Sequence, residues 1–160
     1  MTSGAPDGSA RDRFALYDLF AAYGALIDAP EFDAWLALFA ATCTYHIVPR
    51  ENYQRGLPAG LVYCDSRGML EDRIRALREA NKYNIHTDRH LIGLPRICGD
   101  SLVVEAPFAV YQTDQEGESR LFATGLYRDT LAAVGQRLKI RDKLVLLDTF
   151  AVPSLLATPL

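Results

Sequence analysis

Apolar side chains recur at three- and four-residue steps near the start of the chain, which predicts an amphipathic helix over about 12–28. Pro30 ends this helix, because a proline ring disfavours helical geometry in the residue before it. Residues 32–39 predict a second, shorter helix. A third helix is expected to follow Asp65 or Ser66, both of which are candidate N-terminal caps.

Strand patterns take over in the rest of the chain. Residues 42–48 are rich in β-branched and aromatic side chains and predict a strand, 61–64 predict a short one, and the polar stretch between them predicts a loop. Four further strands, separated by turn sequences, are predicted at 88–97, 102–112, 119–131 and 137–150. Pro107 predicts an edge position or a bulge in the second of these four. Helices followed by antiparallel strands indicate an α+β domain with helices covering one face of a curved sheet.

Length and composition indicate one folded domain. The chain has 160 residues, of which 49% are hydrophobic, so it is long enough to bury one core. Residues 1–11 are rich in Gly, Ser, Pro and Asp and predict a flexible leader, which leaves a single domain over 12–160. The apolar stretch 152–160 predicts a tail that docks on this domain.

Charge and cysteine usage exclude several classes of protein. The formal net charge of −3 disfavours general nucleic-acid binding, which needs a basic footprint. No apolar stretch approaches the roughly 20 residues of a membrane span, and the first residues lack the apolar core of a signal peptide, so no membrane partner is expected. Three widely spaced cysteines fit a reducing cytoplasm and predict no disulfide framework.

Two short histidine-containing segments resemble pieces of metal sites. His86, Asp88 and His90 have the residue types of a two-histidine, one-carboxylate iron site, but in a strand the outer histidines would lie ~13 Å apart. His90 is therefore predicted to be buried and hydrogen-bonded, with the other two at a loop surface. Cys43 and His46 have the spacing of half a Rieske ligand set, but they point to opposite faces of a strand and no second half exists.

Basic residues alternate along the last predicted strand. They are Arg137, Lys139, Arg141 and Lys143. On one face of a strand they predict a solvated basic stripe or a contact with an acidic partner. Nucleic acid is the weaker interpretation, because the chain is net acidic and has no aromatic platform there.

Four segments, taken in order, resemble the small (beta) subunits of Rieske-type aromatic-ring-hydroxylating oxygenases. They are residues 45–52 (YHIVPREN), 60–74 (GLVYCDSRGMLEDRI), 89–90 (RH) and 125–129 (GLYRD). Three others are most similar to the terephthalate dioxygenase and salicylate hydroxylase branch of that family: residues 56–60 (GLPAG), 76–81 (ALREAN) and 94–97 (LPRI). The resemblance covers nearly all of the chain beyond residue 11.

The resemblance implies a cone-shaped fold of the nuclear-transport-factor and cystatin-like type, with three helices on a long curved sheet. It implies a hexamer of three large (alpha) and three small subunits that hydroxylates a terephthalate-, salicylate- or benzoate-like acid. The large subunit would hold the Rieske 2Fe-2S cluster and the mononuclear non-haem iron, fed with NADH-derived electrons by a reductase. This chain would be structural, without catalytic, cofactor or metal residues. Its candidate interface residues are Arg50, Glu51 and Arg128.

The same cone fold also hosts stand-alone enzymes, such as scytalone dehydratase and ketosteroid isomerase relatives, so fold alone does not settle function. A lyase or isomerase would need an acid and a histidine or tyrosine inside the cone. The chain offers Asp28, Tyr17, Tyr45, His46 and His90. An open pocket with converging polar groups favours such an enzyme, or a plain ligand-binding module, whereas a filled apolar interior favours the subunit.

Overall fold

The computed structural model describes residues 8–80, 85–99, 102–149, 152 and 156–160. Within these ranges the helices are α1 (Gly8–Asp28), α2 (Phe32–Leu36), α3 (Arg50–Gln54) and α4 (Arg67–Ala80). The strands are β1 (Phe39–Pro49), β2 (Val62–Cys64), β3 (Thr87–Ile92), β4 (Arg96–Ile97), β5 (Val103–Thr113), β6 (Ser119–Val134) and β7 (Arg137–Leu147).

The strands form one sheet in the order β2-β1-β7-β6-β5-β3, and β4 also pairs with β5. Every pairing is antiparallel except that of β1 with β7. Helix α1 packs against β3 and β7, and α4 packs against β1 and β2. The sheet therefore has an inner face, covered by helices, and an outer face. This arrangement confirms the predicted α+β class.

The helices differ from the sequence prediction in two places. Helix α1 begins at Gly8, inside the predicted leader; residues 1–7 lie outside the described part of the chain. Helix α3 occupies the stretch predicted as loop, so the described residues contain a short fourth helix besides the three that were predicted. Five residues are too short to show helical periodicity, although an ion pair of Glu51 with Arg55 at 2.6 Å spans the turn. Ser66 does cap α4, accepting a hydrogen bond from the Met69 amide at 3.2 Å.

Pro107 lies in β5, which has neighbours on both sides, so the predicted edge position is wrong. The register shift in β5 falls between Val110 and Tyr111 rather than at the proline. The proline is accommodated because the predicted strand 88–97 is split into β3 and β4. Pro107 stands opposite the gap between them, where a strand residue without an N–H costs no ladder hydrogen bond.

The basic stripe predicted along β7 is interrupted by a bulge. The pairing with β6 shifts by one residue at Arg141, which has no partner in the register of the two strands. Ile140 is buried before the shift, and Lys143 and Val145 are buried after it, so the strand exchanges its inner and outer faces. Arg137 and Arg141 are exposed as predicted, but the prediction of a solvated Lys143 is wrong.

Gly125 on β6 is a position where no side chain fits. A Cβ atom there would lie 2.0 Å from the carbonyl oxygen of Leu146 and 2.9 Å from the ring of Phe108. We expect Gly125→Ala to lower the free energy of unfolding by about 2–3 kcal/mol and the Tm by roughly 5–10 °C, because backbone must move to make room.

Thermal unfolding followed by circular dichroism measures this effect. Gly68→Ala is the matched control, since a Cβ at that α4 position meets only the Ser66 hydroxyl at 3.8 Å. We expect the control to keep or raise the Tm, as alanine is the better helix former. An unchanged Tm in Gly125→Ala would contradict the packing described for β6 and β7.

Candidate functional site

The three residues predicted to form a subunit interface lie on two elements. Arg50 begins α3 and pairs with Asp148, whereas Glu51 pairs with Arg55, the residue that follows the helix. Arg128 is on β6, half-exposed, with its guanidinium 3.7 Å from a carboxylate oxygen of Glu105. The structure places all three side chains in contact with solvent. Their role at an interface stays a prediction.

A cavity of about 550 Å³ opens on the outer face of the sheet. Its walls combine residues of β1, β5, β6 and β7 with Tyr63 of β2, Tyr53 of α3 and the segment after α3. The lining residues are Thr44, His46, Val48, Tyr53, Gly56, Leu57, Tyr63, Val103, Arg128, Thr130, Asp142, Lys143 and Leu144. We call this feature the outer cavity. Of the three predicted interface residues, Arg128 alone is part of its lining.

Aromatic and charged side chains line the outer cavity. The ring of His46 lies 4.9 Å from that of Tyr63, centroid to centroid, and its Nε2 atom is 2.7 Å from Asp65. Tyr63 is 39% exposed and Leu57 46%. Arginine and exposed aromatic side chains are the types that dominate binding energy at protein interfaces. The outer cavity is therefore chemically suited to a protein partner.

The inner face of the sheet is filled by aromatic rings. Tyr23, Trp35, Phe39, Tyr45 and Tyr127 are buried and contact one another at ring-centroid distances of 4.8–6.4 Å. The indole N–H and the Tyr127 hydroxyl have no hydrogen-bond partner among the described residues. Tilted and edge-to-face rings at these distances form a packed core rather than an open pocket.

An ion pair lies inside this aromatic core. The Lys143 ammonium donates a 2.8 Å hydrogen bond to Asp129 and sits over the rings of Tyr127 at 3.5 Å and Tyr23 at 4.0 Å. Burial raises the pKa of the Asp129 carboxyl and lowers that of the Lys143 ammonium, and the attraction between the two opposes both shifts. Sequence reasoning missed this pair because only the β7 bulge turns Lys143 inward.

The described residues of the apolar tail, 152 and 156–160, dock as predicted, and Leu160 enters the cone. The Leu160 carbonyl accepts hydrogen bonds from the hydroxyls of Tyr23 at 2.5 Å and Tyr45 at 3.0 Å, and its N–H donates to Tyr45 at 2.9 Å. Arg73 of α4 donates to the Leu156 carbonyl at 2.8 Å. Leu160 is 2% exposed, so the tail completes the filling of the interior.

The candidates for an acid–base pair separate in the structure. Asp28 and His90 are joined by a 2.7 Å contact to Nδ1, and the same carboxylate accepts the His90 backbone N–H at 3.0 Å. His90 is buried and hydrogen-bonded, as predicted. His46 lies on the outer face beside Asp65, Tyr45 binds Leu160 inside the cone, and Tyr17 is half-buried on α1.

A second cavity of about 340 Å³ lies at the end of α1, with Asp28, His86 and Asp88 in its lining. The prediction that His86 and Asp88 are loop surface is wrong: their side chains are 9% exposed and lie 3.3 Å apart, and Asp88 is in β3. His90 is absent from this lining, and its side chain is fully buried. The cavity therefore does not present the Asp28–His90 pair to a bound molecule.

The described ranges contain neither a candidate metal-binding cluster nor a helix suited to cross a membrane. Within them, no three His, Cys, Asp or Glu side chains are grouped so that they could hold one metal ion. None of the helices in these ranges combines the length and apolar content that a membrane crossing requires. Cys43 and Cys64 are buried free thiols.

Comparison with known proteins identifies the family. The sequence matches the family described as ring hydroxylating beta subunit over residues 24–154. The chain belongs to this family. It is 38% identical over 143 residues to the beta 1 subunit of the terminal oxygenase component of terephthalate 1,2-dioxygenase from a Comamonas species, covering 88% of this chain and 93% of that subunit. It is 39% identical over 150 residues to the anthranilate 1,2-dioxygenase small subunit of Burkholderia cepacia, covering 92% and 93%.

Solved structures agree with this assignment. A crystal structure described as the beta subunit of an aromatic-ring-hydroxylating dioxygenase from Novosphingobium aromaticivorans superposes with a TM-score of 0.85 at 38% identity, covering 96% of this chain and all of that one. A protein from the same organism described as a scytalone dehydratase gives a TM-score of 0.71 at 14% identity, over 94% and 93% of the two chains. The second likeness shows the cone fold alone, as predicted. The ring-hydroxylating subunit is part of an oxidoreductase complex.

Proposed function

We propose that this chain is the structural small subunit of an oxygenase that hydroxylates an aromatic carboxylate of the terephthalate, anthranilate or benzoate kind. Membership of the ring-hydroxylating beta subunit family carries this proposal. The two relatives described above are subunits of terephthalate and anthranilate dioxygenases, whose substrates are both benzene carboxylates.

The partner in this proposal is a large subunit that carries the Rieske cluster and the mononuclear iron. The metal centres would supply the oxygen chemistry, and electrons derived from NADH would reach them through a reductase. The small chain would hold the large subunits in a hexamer of three plus three. A cytoplasmic location belongs to the same proposal, because Cys43 and Cys64 are free thiols, the state that a reducing compartment maintains.

The outer cavity is the proposed docking site for the large subunit, with Arg128 in its wall and Arg50 and Glu51 on the neighbouring helix α3. Permanent interfaces between subunits are large and depend on a few aromatic and arginine anchors in a well-packed centre. The outer cavity offers Arg128, Tyr53 and Tyr63 as such anchors.

A stand-alone lyase or isomerase is supported less well. The interior that would hold its substrate contains rings, the Asp129–Lys143 pair and Leu160. The Asp28 carboxylate is already bound by the backbone and ring of His90. A catalytic acid or base must reach the substrate proton. Asp28 lines the second cavity, but His90 does not, so no bound molecule could contact both members of the pair there.

Co-expression with the large subunit of the same organism tests the proposal. We expect light scattering after size-exclusion chromatography to give the mass of three large and three small chains, with all iron in that complex. The chain expressed alone is the control and should carry no iron. The proposal would be wrong if the chain stayed separate from the large subunit and by itself dehydrated or isomerised a small ring compound. That result would identify the chain as a cone-fold lyase or isomerase.

A further inference from the structure

The contacts of Leu160 inside the cone have the character of a bound ligand. One carbonyl oxygen accepts from two phenol hydroxyls, those of Tyr23 and Tyr45, which belong to α1 and β1. Tyr23 and Leu160 are 137 positions apart in the chain. The amide and side chain of this one residue therefore occupy a place that two distant elements have built, and the place is defined by the cone rather than by the tail.

Three side chains, Tyr23, Tyr45 and Arg73, direct hydrogen-bond donors at the backbone of the tail. Arg73 gives one N–H to the Leu156 carbonyl, and its Nε is buried with no partner among the described residues. Burial raises the pKa of both phenols, so they remain donors at any physiological pH; the Leu160 carbonyl and the positive charge of Arg73 partly oppose this for Tyr45. Two hydroxyls and a guanidinium with an unused N–H suit an anionic acceptor.

We propose that the cone interior holds a binding site for a small carboxylate with an apolar body, and that Leu160 of the chain itself occupies this site in place of such a ligand. The carboxylate would accept the hydrogen bonds of Tyr23 and Tyr45 and face the charge of Arg73. The apolar body would take the space of the Leu160 side chain, which is 2% exposed. Two acids lie near this place: Asp88 contacts His86 and Gln112, each at 3.3 Å, and Asp129 is paired with Lys143 at 2.8 Å.

Because the tail competes with the ligand for this site, weakening the tail should raise the affinity of the chain for a carboxylate. A ligand that needs an emptied site binds the wild-type chain with its intrinsic Kd divided by the fraction of molecules whose tail is displaced. Leu160→Gly removes the apolar anchor of the tail while leaving all the donors in place. We expect benzoate, used as the probe because it is an aromatic carboxylate close in size to a leucine residue, to bind this variant at least tenfold more tightly than it binds wild type.

Isothermal titration of the full-length chain with benzoate measures this. Leu94→Gly is the matched control, since Leu94 is 76% exposed and outside the cone, and it should bind benzoate like wild type. Adding Tyr45→Phe to Leu160→Gly should weaken benzoate at least tenfold. Two results would overturn the inference. One is that Leu160→Gly binds toluene as tightly as benzoate, and the other is that a folded Leu160→Gly binds no benzoate. Either would mean that the interior selects for apolar groups and not for a carboxylate.

A second measurement uses the wild-type chain and does not depend on how any variant folds. The Leu160 N–H donates to Tyr45, so its hydrogen exchange reports whether the tail is seated. Saturating benzoate should speed exchange of this amide at least tenfold, without a comparable change at amides of β6. Exchange that does not respond to benzoate would mean that the tail is a permanent part of the core. The outer cavity takes no part in this experiment, so its outcome is independent of the proposed subunit function.

Discussion

Replacing Lys143 with methionine is expected to lower the free energy of unfolding by about 3–5 kcal/mol, the range typical of breaking a buried ion pair by removing one partner. The ammonium is fully buried, hydrogen-bonded to Asp129, and covered by the rings of Tyr23 and Tyr127. Methionine fills the space but leaves a carboxylate without a counter-charge in an apolar core. Urea denaturation followed by fluorescence measures the effect, because Trp35, the single tryptophan, is buried in the same aromatic cluster.

The loss in the Lys143→Met variant should depend on pH. Burial raises the pKa of Asp129, and without the lysine nothing opposes that shift as strongly. A group whose pKa is raised on folding contributes stability that is present at low pH and lost as pH rises through the folded-state pKa. The gap between variant and wild type should therefore be larger at pH 8 than at about pH 4.5. A gap that widens on acidification would contradict an unpaired buried carboxylate.

Two further variants separate charge from packing in this prediction. Lys143→Met combined with Asp129→Leu removes both charges, and should recover more than half of the lost stability, since an apolar pair often replaces a buried ion pair at little cost. Lys139→Met makes the same substitution on the same strand at a side chain that is not fully buried, and should cost less than about 1 kcal/mol. Equal losses at Lys139 and Lys143 would mean that burial of the ion pair has no special effect.

The second large effect is expected at the outer cavity. Changing both Arg128 and Tyr63 to alanine should weaken binding of the large subunit by more than about a hundredfold, because a single interface anchor is typically worth ~2 kcal/mol or more. Both side chains line the cavity, and neither belongs to the buried core, so the chain itself should fold normally. Assembly measured by light scattering, and ring hydroxylation by the mixture, should both fail at subunit concentrations that suffice for wild type.

A matched double variant tests whether the position matters. Arg96→Ala with Tyr111→Ala also removes an arginine bound to Glu105, at 2.8 Å, and a tyrosine 40% exposed, but neither residue lines the outer cavity. We expect this control to assemble within about threefold of wild type. Equal loss in the two double variants would place the docking surface elsewhere on the chain, and normal assembly of Arg128→Ala with Tyr63→Ala would remove the outer cavity from the interface.

Local patterns predicted much of this fold. The three-and-four spacing of apolar residues predicted α1, and its buried side chains Leu16, Phe20, Tyr23 and Ile27 follow that spacing. The strands after residue 86 were predicted with small errors at their ends, since turn sequences and alternation are local signals. Helix α3 and the division of 88–97 into two strands were missed, because each depends on neighbours outside the segment.

The functional features also divide into those that local sequence predicted and those that depend on contacts between distant segments. Short segments such as 125–129 and 45–52 were enough to indicate the family, and the match over residues 24–154 confirms it. The interface residues Arg50, Glu51 and Arg128 were selected by residue type and place, and the structure brings only Arg128 into the outer cavity. Composition could not reveal a cavity whose walls come from five strands, a helix that the sequence did not predict and the segment after that helix.

The sequence by itself determined helices α1, α2 and α4, the strand segments apart from the break between β3 and β4, the buried His90 and a tail that docks. Tertiary structure alone decided what lies inside the cone. One extra residue at Arg141 turns the Lys143 side chain inward. Amino-acid propensities describe single residues, so they could not predict this change in strand pairing. Leu160 reaches Tyr23 across 137 positions, and Asp28 reaches His90 across 62. Such contacts form only when the whole sheet curves around α1, so their geometry belongs to the fold and not to any one segment.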